Sequence, residues 1–147
     1  MNIFCACQID LESTNTAPVQ YFIGELMGDS SVFLNFVIGL VQSGFLRPYD
    51  IFVGDNAKIH AHGDCKELAD ALWESLRILW LPLPPYSPEF NPTEEIFHIT
   101  VERSKIEGPR ILQQDNTGIV DEATEVLNGI TQDEVVKCYR DCGYVAY

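Results

Sequence analysis

Two acidic residues stand where a chain can present chemistry. Asp55 comes directly after Ile51-Phe52-Val53-Gly54, an apolar run of the buried-strand type. An acid there leaves the carboxyl end of a strand already oriented by a rigid backbone, and open α/β sheets place ligands and catalytic groups at that edge. The Asp55-Asn56 pair also suits a plain turn, since both residues tolerate turn geometry. Glu94 follows the most unusual segment of the chain, Pro82 to Pro92, which holds five of the eight prolines. It could be a catalytic carboxylate at the head of the next helix. Asn91-Pro92-Thr93-Glu94 is equally close to a capping box, in which the glutamate reaches back to the cap backbone. Glu95 is the neighbouring alternative, turned about 100° around the helix.

Other candidates are more ordinary. His60 and His62 could ligate a metal, but isolated histidines are commonly satisfied surface or core groups. Asn56 could orient a carboxylate or contact a phosphate, or serve the turn. Lys58 could meet a phosphate. Trp80, Tyr86 and Phe90 could stack on bases, although packing in the core or the connector is the expectation. Glu122, Glu125, Asp133 and Glu134 read as solvated helix faces. Cys138 and Cys142 lie four apart on an expected helix without an evident second pair, so no zinc site is expected. No Cys-x-x-Cys occurs, and the five cysteines are expected to be reduced thiols.

The elements that must position these residues can be read from periodicity and turn signals. Ile3–Ile9 reads as a strand, and Val19–Ile23 as its hairpin partner. Asp29-Ser30-Ser31 offers a cap. Val32, Phe33, Phe36, Val37, Leu40 and Val41 then follow at helical spacing up to Gly44. The strand over Asp50–Gly54 comes next, and the order strand, helix, strand suggests a parallel crossover. A second helix is expected over roughly Asp64–Ser75, with Leu68, Ala71 and Leu72 inward. Leu76–Leu81 reads as a third buried strand. The proline segment is an extended, stiff connector. Asn91 then caps a helix carrying Ile96, Phe97 and Val101, which ends near Gly108-Pro109. Two short helices are expected from about Ile119 to Leu127 and from about Thr131 to Cys142.

The chain has 147 residues, enough for one domain that buries a core without staples. With 46% hydrophobic and 21% charged residues, disordered, collagen-like and coiled-coil classes are excluded. No apolar run reaches the ~18–20 residues that cross a bilayer, and no secretory leader is recognised at the start. The net charge is −13. Proteins that bind nucleic acid by neutralising phosphates are normally basic, so any such reading must account for this balance.

Taken together, the candidate positions form a pattern. A strand leads into Asp55-Asn56-Ala57-x-Ile59-His60. A helix and a strand follow, and then Leu83-Pro84-Pro85-Tyr86-Ser87-Pro88-x-Phe90-Asn91-Pro92-Thr93-Glu94. This resembles the catalytic domain of mariner-like transposases, the related insertion-sequence transposases and their DDE-superfamily endonuclease relatives. The resemblance covers nearly the whole chain, read as a single domain over 1–147 with a helical tail from about 110. Cys142-Gly143-Tyr144-Val145 is similar to the tail of eukaryotic members.

The resemblance implies an α/β fold of the ribonuclease H type, a mixed sheet flanked by helices. It implies metal-dependent cleavage and transfer of DNA strands at transposon ends. Three acids hold two divalent ions, Mg²⁺ or Mn²⁺, in that family. Asp55 matches the second acid and Glu94 the third, so both are expected as catalytic residues and metal ligands. Thirty-eight residues separate them. Hard Mg²⁺ prefers carboxylate oxygens, and two ions ~3.5–4 Å apart can activate the attacking oxygen and stabilise the leaving one. DNA, full-length transposase or further copies of the chain are the implied partners. The implied location is the nucleus in a eukaryote and the cytoplasm otherwise, neither secreted nor membrane-bound.

The family's first acid lies on its first and central strand, and no Asp or Glu precedes Asp10 here. The chain therefore reads as beginning at the second strand. Asp10 is a poor substitute, roughly five or more strand residues from Asp55 at ~3.3 Å each. Without a central strand the hairpin must pair directly with Ile51–Val53 or leave an edge unpaired. Two carboxylates would hold one ion weakly and not a pair, so this form is expected not to cut DNA. The alternative is a non-catalytic interaction module that keeps the fold. A small metal-dependent phosphatase is disfavoured, because it has no need of the proline string.

Overall fold

Apolar runs too short for a helix become strands here. In the computed structural model, residues 2–9, 17–24, 30–55, 63–107 and 116–144 are described. Strand β1 (Asn2–Cys7) pairs with β2 (Val19–Gly24), and β3 (Ile51–Gly54) pairs with β4 (Leu79–Pro82). The second pair is parallel, with Ile51 opposite Leu79 and Val53 opposite Leu81. Parallel neighbours need a crossover, and helix α2 (Gly63–Leu76) supplies it. The crossover expected through α1 (Ser30–Gln42) does not form. Among the described residues no pairing joins the two sheets, so the hairpin does not pair with β3. Strand-level periodicity identifies strands but not their partners. The result is a mixed α/β protein with five helices and two small sheets among the described residues, consistent with a ribonuclease H-like domain.

The chain sorts into two compact units. One comprises Met1–Phe4 with Phe22–Asn91, the other Cys5–Tyr21 with Pro92–Tyr147.

The first unit is built on aromatics. Alternation along β3 and β4 turns Phe52 and Trp80 to one face. There Trp80 stacks on Trp73 of α2 at 5.9 Å between centroids and meets Phe52 at 5.3 Å. Phe33 of α1 closes the cluster edge-on to Trp80. Ile51, Leu79 and Leu81 occupy the opposite face and are exposed. Trp73 also sets the phase of α2. Ala69 and Trp73 are buried, whereas Leu68, expected inward, is exposed. The largest apolar surface selects the buried stripe, since burial scales with area. Helix α2 runs past Ser75, and β4 starts only at Leu79 rather than Leu76. Arg77 takes a left-handed conformation (φ +55°) and the Ile78 N–H donates to the Trp73 carbonyl. This is a helix stop of the kind glycine usually makes, so the sequence carries no punctuation there.

The second unit packs α3 (Pro92–Glu107) against α4 (Asn116–Asn128) and α5 (Gln132–Asp141). Its core gathers Val19, Ile96, Leu127, Ile130, Val135 and Cys138. Val101, expected in the α3 stripe, is exposed, and Thr100 is buried instead. Five residues turn a helix by about 140° from Ile96, while four bring Thr100 back over it. The Thr100 hydroxyl donates to the Ile96 carbonyl at 2.7 Å, so its burial leaves no polar group unmet. All five cysteines are free. Among the described residues no helix is long and apolar enough to cross a membrane.

Glu134 does more than solvate a helix face. It forms a full capping box with Thr131 at the head of α5 and an ion pair with Arg103. Burial alone would raise its carboxyl. Hydrogen bonds from the Thr131 N–H and hydroxyl, and the Arg103 guanidinium, outweigh this and lower it. A depressed folded-state pKa gives stability that is present above the unfolded carboxylate range and is lost as pH falls through the folded value. Thr131→Ala is expected to cost about 1 kcal/mol at pH 7. The gap from wild type in urea titrations should narrow at pH 3, and an equal gap at both pH values would contradict the coupling.

Candidate functional site

Asp55 is placed by the residue before it. The Leu83 N–H donates to the Gly54 carbonyl at 2.8 Å, which carries the β3–β4 ladder to the last position before the acid. The Trp80 indole lies directly against Gly54. A Cβ at this position would come within 2.7 Å of indole Cζ3 and closer still to Cη2. Only glycine fits there, so the aromatic cluster and the end of β3 are locked to each other. Asp55 itself is exposed.

Glu94 is placed by the proline segment. Three residues, Pro88–Phe90, form a 3-10 turn, and the Asn91 N–H donates back to the Pro88 carbonyl at 2.9 Å. The donor that a capping-box glutamate would take is therefore already occupied. Pro92 sits in the first position of α3, where a missing N–H costs nothing. Glu94 is exposed in the first turn, where the aligned peptide dipoles favour a negative charge. Its neighbour Glu95 has a different setting. Burial, and then the Glu95 charge, push the Cys138 thiol up to about 11, and the same causes raise Cys142. Glu95 therefore lies towards the thiols of α5, and Glu94 on another side of α3.

Asp55 belongs to the first unit and Glu94 to the second. Asp10, Asn56, Lys58, His60 and His62 lie outside the described residues. Of the three aromatics considered for stacking, Trp80 is held in the aromatic cluster, Phe90 is partly exposed and Tyr86 is wholly exposed. The connector does not bury Tyr86, contrary to expectation. Gly54 was not singled out from the sequence. The signal was available, since a glycine ending an apolar strand marks a close approach.

The donor chemistry fits a hard divalent cation, because both residues are exposed carboxylic acids at element ends. Among the described residues no three His, Cys, Asp or Glu side chains gather into a group that could hold an ion. The fit therefore extends to the donor type and not to a complete two-ion site.

A sequence-family profile described as DDE superfamily endonuclease matches residues 22–116, which is most of the chain and includes both acids. Comparison with the curated proteins finds no match.

Proposed function

The chain belongs to the DDE superfamily endonucleases, and from that premise we propose that it acts in DNA transposition, in the manner of the mariner-like branch, with Asp55 and Glu94 as acids that bind a divalent cation. One observation carries the reading furthest: the cap donor at the head of α3 is taken by Pro88, so the Glu94 carboxylate is not needed for capping.

Mg²⁺ or Mn²⁺, when bound, supplies charge that polarises a phosphodiester oxygen. Asp55 offers its carboxylate from a strand end that the Gly54–Leu83 hydrogen bond holds in place. Glu94 offers its carboxylate from the exposed first turn of α3. Two acids by themselves would hold such an ion weakly. In a eukaryote the nucleus is where the substrate lies. The net charge of −13 favours a second reading, a non-catalytic module that binds a protein, because phosphate neutralisation needs basic residues.

Calorimetry of the whole chain with MnCl₂ separates the two. Weak uptake, in the millimolar range typical of sparse oxygen sites, should disappear in Asp55→Asn and in Glu94→Gln while the melting temperature holds. Uptake indifferent to both substitutions would end the assignment. No uptake by the wild type would favour the non-catalytic module.

A further inference from the structure

Tyr86 is the most exposed large hydrophobic side chain among the described residues, as open as in an extended peptide. Its backbone is also unusual. At φ +58° it lies in the left-handed region, which side-chain-bearing residues adopt only at a steric penalty. Full exposure means that packing does not offset this penalty. Strain at an exposed, unpacked residue points to a role outside the fold.

The surroundings constrain the backbone that carries the ring. Pro84, Pro85 and Pro88 fix three φ angles around it. The Ser87 hydroxyl donates to the Pro85 carbonyl at 3.4 Å, and the Phe90 N–H to the Ser87 carbonyl at 3.2 Å. With its backbone constrained and only two side-chain torsions to settle, the ring loses little conformational freedom when it binds a flat partner. The local charge decides between modes of contact. No Lys or Arg occurs between Arg77 and Arg103, while Glu89, Glu94 and Glu95 follow the tyrosine. The flanking sequence therefore supplies no Lys or Arg to attract a phosphate. Stacking on a base needs only a π face and tolerates any sequence.

We propose that Tyr86 is a stacking platform for an unpaired nucleobase of the DNA on which this chain acts. The inference rests on the nucleic-acid reading above and adds the residue and the mode of contact.

The test uses the whole chain and a single-stranded oligodeoxynucleotide carrying 2-aminopurine, with base fluorescence followed during titration. Wild type should quench the fluorophore. Tyr86→Ala should bind about tenfold more weakly, as loss of one stacked base implies, and Tyr86→Phe should bind like wild type. The ratio between wild type and Tyr86→Ala should not change with salt, because the lost contact is not electrostatic. Tyr86→Gly suits the left-handed backbone, so it should melt no lower than wild type and still lose the affinity. Equal binding by wild type and Tyr86→Ala would overturn the platform and leave the DNA reading standing. Absence of binding by the wild type would remove the DNA reading, and the platform with it.

Discussion

Ile96→Ala is expected to destabilise the second unit by about 3 kcal/mol, towards the middle of the range for emptying a buried isoleucine site. Ile96 is 0% exposed, and so is Val135 beside it in the same cluster, with Leu127 close to that. Collapse into the space would need α3 to move. The Thr100 hydroxyl, bonded to the Ile96 carbonyl, opposes a local shift of that turn. Such a loss is a large share of the ~5–15 kcal/mol that holds a typical domain together. Ile96→Val should lose only about 1 kcal/mol. Urea titration followed by far-UV circular dichroism reads both. A loss below 1 kcal/mol for the alanine variant would mean that the three-helix core is not packed as described. Glu94 lies two residues earlier on the same helix, so a loosened α3 should also weaken any ion uptake that depends on it.

The second large effect belongs to Gly54. Adding one methyl group there should cost about 3 kcal/mol, the upper end for overpacking. The tip of an indole can often swing aside, but here Trp73 stacks on it at 6° between planes, with Phe52 and Phe33 on other sides. Gly54→Ala must displace either this cluster or the end of β3. Near-UV circular dichroism should lose tryptophan intensity, and the melting temperature should fall by several degrees. Trp80→Leu in the Gly54→Ala background should recover part of the loss, because the two residues are coupled through one contact. If the double variant is no more stable than additivity allows, the close approach is not the cause.

The proposed acids depend on these two packing sites in different ways. Asp55 takes its position from a strand end pinned by a missing side chain, and Glu94 from a helix whose buried stripe is two residues away. Electrostatics adds a constraint on the reading. At −13 the chain does not attract DNA as a whole, so the proposed activity would draw on a bound cation and on the proposed base contact at Tyr86.

Much of this was legible in the residues themselves. The apolar run before Asp55 and the helical spacing from Val32 to Val41 led to β3 and α1 at nearly their observed bounds, whereas the connector expected to be extended instead turns at Tyr86 and closes into a 3-10 turn over Pro88–Phe90. The composite string from Asp55 to Glu94 indicated the DDE endonuclease family, which the match over residues 22–116 bears out. These features are local or nearly so. A strand, a cap or a proline turn is determined by a few neighbouring residues through backbone sterics and hydrogen bonding. Tertiary structure decided what depends on contacts far along the chain. It made β3 and β4 the parallel pair and kept the hairpin in a sheet of its own. It turned α2 by the bulk of Trp73 rather than by Leu68, and it left Tyr86 uncovered. No periodicity encodes such choices, because each is settled by which surfaces meet and how well they exclude water.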